Sequence, residues 1–173
     1  MDVWGPDDTP SIRGNIYKVG FIDSKSGKLW LYYTTTKQVY DVTADFLSSV
    51  IPYCRQKHGL KDFVVQSDWG EFKSDAVQKL LQQYDGKRKI CCAYSPETQS
   101  RIERTWRTNV ELASAMLLAK KLPEPFWEDA SRYACIIYNF LPPSRQGGEE
   151  QRLSPHQIYT LENPNLEHLH PFG

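Results

Sequence analysis

Phe63-Val64-Val65-Gln66-Ser67-Asp68-Trp69-Gly70-Glu71-Phe72 is the stretch that decides the fold. Its first six residues read as a buried strand that Asp68 ends, next to Gly70. Working outward, residues 38–57 carry Val39, Val42, Phe46, Val50 and Tyr53 at helical spacing, with Gly59 placed to close the helix. Residues 74–84 read as a second amphipathic helix, and Lys89-Ile90-Cys91-Cys92-Ala93-Tyr94 as another strand. Upstream, residues 14–23 and 28–36 are rich in aromatic and β-branched residues, with Ser24-Lys25-Ser26-Gly27 as the hairpin turn between them. Beyond Pro96 the pattern is helical. Ile102, Trp106, Val110, Ala113 and Leu117 predict one helix over about 98–120, Leu122-Pro123-Glu124-Pro125 breaks it, and a second helix follows over about 125–140. The tail is polar, with a short helix expected near Pro155–Thr160. Strands alternating with helices predict an α/β layer architecture. The order is compatible with a ribonuclease-H-like fold: a mixed five-stranded sheet flanked by helices, with a long C-terminal helical pair. In that arrangement the first strand is central and the strand ending at Asp68 lies beside it.

The bulk properties describe a globular chain. At 173 residues it fits one domain, divided here into a core over 1–143 and an irregular extension of the same domain over 144–173. No apolar run reaches the roughly 18 residues of a membrane span, and no signal peptide is visible. Cys54, Cys91, Cys92 and Cys135 lack paired spacing and read as reduced core residues in a reducing compartment, nucleus or cytoplasm. Net charge is zero, but the distribution is uneven. Lys87, Arg88, Lys89, Arg101, Arg104 and Arg107 face only Glu97 and Glu103 in the same stretch. Such a patch beside a carboxylate cluster suits a nucleic-acid enzyme, and equally a solvated charged face.

Three acids stand in order: Asp2 in Met1-Asp2-Val3-Trp4-Gly5-Pro6, Asp68, and Glu103 in Ile102-Glu103-Arg104, with thirty-four residues between the last two. Magnesium takes oxygen ligands and keeps several waters, so a few carboxylates suffice to hold it. Two such ions can activate the attacking oxygen of a phosphodiester displacement and stabilise the leaving one. Asp68 suits this role at a strand end beside Gly70. Glu103 suits it near the start of the long helix, where Ile102 and Trp106 face the core and fix its orientation and Arg104 and Arg107 flank it. Taken singly, each acid is far more often a surface charge.

With the surrounding motifs, the chain resembles the catalytic core of integrases from copia-type LTR retrotransposons, over essentially its whole length. The pieces are Asp2-Val3-Trp4-Gly5-Pro6, the hairpin Phe21–Trp30, Ser67–Phe72, Glu103-Arg104-Thr105-Trp106-Arg107, Leu122-Pro123-Glu124-Pro125-Phe126-Trp127-Glu128-Asp129-Ala130, Asn139-Phe140-Leu141-Pro142, Ser154-Pro155 and Leu169-His170-Pro171-Phe172-Gly173. The resemblance implies DNA integration: 3′-end processing followed by strand transfer. It makes Asp2, Asp68 and Glu103 the catalytic, metal-binding triad for magnesium or manganese. Its implied partners are element ends, target DNA and further copies of the chain, with no membrane and no small-molecule cofactor. Lys87, Arg88, Lys89, Arg101, Arg104 and Arg107 are the expected nucleic-acid contacts. Asp23 then becomes a turn-capping residue and Glu71 a support for its loop.

The chain departs from the family pattern at definite points. Trp69 stands where the family has asparagine, and a single Gly70 replaces a glycine pair. The stretch Ser95–Glu103 is shorter than the family's loop and lacks its Asn-Gly pair. Asp2 lies near a chain end, where residues fray unless tied down. Two alternatives therefore accompany the integrase reading. One is a catalytically inactive, decayed or repurposed descendant that keeps the fold and weak DNA binding. The other is a ribonuclease-H-type nuclease, for which a further well-placed carboxylate is wanting.

Overall fold

A computed structural model describes residues 1–67, 70–90, 96–142, 153–167 and 169–173, with backbone alone at Glu71 and 96–100. Strand β1 (Asp2–Trp4) pairs antiparallel with β2 (Tyr17–Ile22), which pairs antiparallel with β3 (Leu29–Thr34). Helix α1 (Tyr40–His58) leads to β4 (Phe63–Ser67), then a 3-10 turn at Glu71–Lys73 and α2 (Asp75–Gln83). Strand β5 (Gly86–Ile90) runs parallel to β4, as a helical crossover between the two requires. Helices α3 (Pro96–Lys120), α4 (Trp127–Phe140) and α5 (Pro155–Thr160) complete the chain.

The mixed α/β class is as the sequence implied. The strands, however, form a three-stranded and a two-stranded sheet among the described residues, where one five-stranded sheet was expected. Between the two, the Met1 nitrogen donates to the Gln66 carbonyl at 2.7 Å, setting the start of β1 against the end of β4. Strand β5 also begins three residues earlier than expected. Its three consecutive bases look like a loop, yet Lys87 and Lys89 point to solvent while the backbone pairs with Val64 and Gln66. Lysine on such a strand is tolerated because alternate residues need no burial.

The principal core lies between the sheets and the first two helices. Phe46, Leu47, Val50 and Ile51 of α1 recur at helical spacing and meet Val19 and Phe21 of β2, Val65 of β4 and Val77, Leu80 and Leu81 of α2. Phe21 and Phe46 stack with ring centroids 4.0 Å apart. As read from the sequence, Gly59 ends α1: it takes the left-handed conformation (φ 64°), and its N–H returns to the Arg55 carbonyl. Ser74 starts α2 by accepting from the Val77 N–H.

Helices α3 and α4 approach through small residues, Ala113 against Ala130 and Ala134. Beside them Asn109 donates to the Ser131 carbonyl at 3.0 Å and accepts from the Ser131 hydroxyl at 2.6 Å. Asn139 joins α4 to β3, its amide both accepting from the Leu29 N–H and donating to the Leu29 carbonyl, each at 2.8 Å. Cys135 is buried nearby, and burial pushes its thiol up to about 12. Cys54 is half-buried, and both are free thiols; Cys91 and Cys92 fall outside the described residues. Tyr159 of α5 stacks on Tyr53 at 5.0 Å and meets the edge of Trp30 at 5.1 Å, fastening the tail to α1 and β3. Among the described residues no helix is long and apolar enough to cross a membrane.

Candidate active site

Strand β1 is short, yet Asp2 is tied down on three sides. Its backbone lies opposite Gly20 of β2, and Met1 before it is bonded to β4. Its carboxylate Oδ1 accepts from the Val3 N–H at 2.9 Å, and Oδ2 accepts from the Trp106 indole N–H at 3.0 Å. The fraying expected of a residue near a chain end is thus countered by tertiary contacts.

Trp106 explains the local geometry. It projects from α3 and is 2% exposed. Its ring lies over Gly20, where an added Cβ would come within 2.7 Å of Cζ2. Trp4 flanks it with ring centroids 6.3 Å apart. Glu103 sits one helical turn before Trp106 and is exposed, while Ile102 and Thr105 beside it are buried. Residues three apart on a helix are surface neighbours. The helix that carries Glu103 therefore also carries the indole that holds Asp2.

Asp68 and Trp69 lie outside the described residues. Strand β4 is described up to Ser67, and its Gln66 carbonyl is the group that Met1 contacts. The chain entering Asp68 therefore lies against the chain entering Asp2. Among the described residues no three His, Cys, Asp or Glu side chains form a metal-holding cluster. The chemistry of the donors present nonetheless fits a hard cation. Carboxylate oxygens are what magnesium and manganese prefer, and each has two acceptor positions, so a hydrogen bond does not bar ligation.

The expected basic contacts divide. Arg88 turns inward on the protein, donating to the Phe72 carbonyl at 2.9 Å, the Ser74 carbonyl at 3.1 Å and Gln78 Oε1 at 2.7 Å. It braces α2 against β5. Arg101 donates to the Ser24 carbonyl and packs at Gly27, pinning the β2–β3 turn. Lys87, Lys89, Arg104 and Arg107 are exposed. Asp23 caps the turn, accepting from the Ser26 N–H at 2.7 Å and the Ser26 hydroxyl at 2.6 Å. That is the structural role read for it. The Glu71 side chain lies outside the described set.

One carboxylate of consequence was not singled out by sequence. Glu128, 0% exposed at the start of α4, accepts from the Ser11 hydroxyl at 2.7 Å, Asn15 Nδ2 at 2.9 Å and Arg132 at 2.8 and 3.1 Å, with Arg13 at 3.6 Å. Burial alone would raise its carboxyl, but the bonds from Asn15, Ser11 and Arg132 outweigh it and hold it below the ordinary 4.5. In sequence Glu128 is an acid in a helix's first turn, where acids are common for dipole reasons. Its donors lie more than a hundred residues upstream in part, so no local signal marks it.

The class follows first from the fold. The chain superposes on the catalytic core domain of BIV integrase with a TM-score of 0.61 over 92% of both chains, at 17% identity. A simian T-cell lymphotropic virus intasome in complex with PP2A regulatory subunit B56 gamma matches with a TM-score of 0.59 over 91% of this chain and 51% of that one, at 16% identity. The architecture is that of a retroviral integrase catalytic core. Sequence then supplies the family. The Retrovirus-related Pol polyprotein from transposon TNT 1-94 of Nicotiana tabacum is 33% identical over 174 residues, covering 99% of this chain and 12% of that protein. The corresponding polyprotein from transposon RE2 of Arabidopsis thaliana is 29% identical over 175 residues, 99% of this chain and 11% of its length. The Gag-Pol polyprotein of gibbon ape leukemia virus is 28% identical over 157 residues, 81% of this chain and 9% of its own. No protein-family model matches the chain. Over nearly its whole length the chain is similar to these transposon Pol polyproteins, and it has the integrase-core fold, as the resemblance implied. It spans about an eighth of the tobacco relative.

Proposed function

We propose that this chain is the catalytic core of a copia-type retrotransposon integrase, acting on DNA by metal-dependent 3′-end processing and strand transfer. The observation that carries the reading is the join between sequence and site. Similarity to transposon Pol spans 99% of the chain, and within it the helix that carries Glu103 also carries the indole that holds Asp2. Asp2, Asp68 and Glu103 are the proposed ligand set, with magnesium or manganese as the ion. When bound, a pair of divalent ions supplies activation of the attacking oxygen and stabilisation of the leaving one. The chain's own part is to hold the carboxylates rigidly and present exposed bases to phosphates. The Met1–Gln66 contact supports joining the five strands into one mixed sheet, with α3 and α4 as its C-terminal helical pair. The packing of Tyr159 supports one domain, a core over 1–143 with 144–173 as its extension. Nuclear action on element ends and target DNA, in an assembly of several copies, follows from the same reading.

Lys87, Lys89, Arg104 and Arg107 are the proposed DNA contacts; Arg88 and Arg101 serve the fold. Replacing Lys87 and Lys89 by alanine should lower the slope of log affinity against log salt by about one to two, with the thermal midpoint unmoved. Arg88→Ala should do the reverse, lowering stability with little change in slope. The deciding experiment is strand transfer with a terminal-repeat DNA end and Mg2+ or Mn2+, using Glu103→Gln as control. Joining by the wild type and none by Glu103→Gln is the expected result, and equal signal from both would end the catalytic reading. Trp69 and the single Gly70 beside Asp68 favour, as the second reading, a descendant that keeps DNA binding without catalysis.

A further inference from the structure

We propose that Trp106 is the positioning residue for Asp2: its indole N–H sets the orientation in which that carboxylate meets a metal ion. The inference rests on the metal-site reading above and adds to it a residue that touches neither metal nor DNA. Indole N–H is a donor with no acceptor capacity, so its bond to Oδ2 has one polarity and cannot invert. A buried indole N–H needs a partner, and at 2% exposure Trp106 finds it in Asp2.

The ring cannot drift. Gly20 provides the seat that any Cβ would fill, and Trp4 closes one side. The seat is itself opposite Asp2 in the β1–β2 ladder, so strand register and indole fix the same carboxylate from two directions. Because Trp106 lies one turn past Glu103, a shift of α3 would carry both the Glu103 carboxylate and the group that aims Asp2. Two acids about a hundred residues apart in sequence are thereby set by one helix. Partners that orient a ligand in this way commonly govern metal affinity.

The test uses the full 173-residue chain and Mn2+ as the probe, with binding followed by electron paramagnetic resonance. Trp106→Phe keeps an aromatic ring at the position and deletes the donor, though it also removes the part of the indole that covers Gly20. It should weaken Mn2+ binding by roughly 10-fold. Affinity equal to that of the wild type would overturn the assignment. A second measurement needs no Trp106 variant. In metal-free protein, Asp2→Ala should shift the indole N–H resonance of Trp106, and an unmoved resonance would equally overturn it. Wild type and Glu103→Gln binding Mn2+ alike would count instead against the metal site itself, leaving the Asp2–Trp106 bond to be judged by the resonance.

Discussion

Glu128 and Asp2 are both carboxylates held by donors from distant parts of the chain, and the difference between them separates scaffold from site. Glu128 is enclosed, with Ser11, Asn15 and Arg132 gathered on it and Arg13 close by. Those groups bind the β1–β2 connection to α4. Around it, Trp127 donates to the Thr9 carbonyl at 2.8 Å, and Arg13 meets Asp129 at 2.7 Å. Asp2 is half-buried, and its carboxylate accepts from the Val3 N–H and from the Trp106 indole N–H. A carboxylate saturated by protein donors stabilises a fold. A half-buried one aimed by an indole N–H is of the kind that can serve an added cation.

The largest expected effect comes from breaking the scaffold side. Glu128→Ala leaves Arg132 and two neutral donors without their acceptor and should cost about 3–5 kcal/mol in denaturant unfolding. A loss below about 1 kcal/mol would show that the cluster is not structural. The same cluster predicts acid sensitivity. Because the folded Glu128 carboxyl titrates below its ordinary 4.5, its contribution is complete above that pH and is lost as pH falls through the lower folded value. Glu128→Gln should therefore flatten the fall in stability between neutral pH and the acid limb.

A smaller effect tests the site side. Gly20→Ala places a methyl 2.7 Å from the Trp106 ring and should cost about 1–3 kcal/mol through overpacking. It should also change the Trp106 fluorescence, whereas Glu128→Gln should leave that signal alone. If both variants move it equally, the two regions are one cooperative unit and the division drawn between them fails. The smallest effect belongs to Arg13. It is half-exposed, and its pairing with Asp129 and Glu128 is open to water, so Arg13→Ala should lower the unfolding midpoint only slightly, and less still in high salt. A larger loss would make Arg13 part of the buried cluster around Glu128.

Much of the architecture was legible because it rests on local pattern. The apolar period of α1, the glycine at its end, the run Phe63–Ser67 and the spacing Ile102–Trp106–Val110–Ala113–Leu117 each state an element without reference to the rest of the chain. Strand β5 was misjudged at its start because Gly86-Lys87-Arg88-Lys89 has a loop's composition, and its place is decided by pairing with β4. Asp23 was legible as a cap because its partner, Ser26, is three residues away. Glu128 was not, since its meaning depends on Ser11 and Asn15.

The sequence by itself determined the α/β class, and it supplied the resemblance to integrases and three candidate acids, because these rest on short motifs in a fixed order. Only tertiary structure decided how Asp2 is held, since its partners Gly20 and Trp106 come from β2 and α3, and the Gln66 carbonyl that holds Met1 before it comes from β4. It likewise separated Arg88 and Arg101, which brace the fold, from Lys87 and Lys89, which face outward. The physical reason is the same in each case. A side chain's chemistry is written in its own residue, but whether it is saturated, aimed or left for a ligand depends on donors and rings that the chain brings together only on folding.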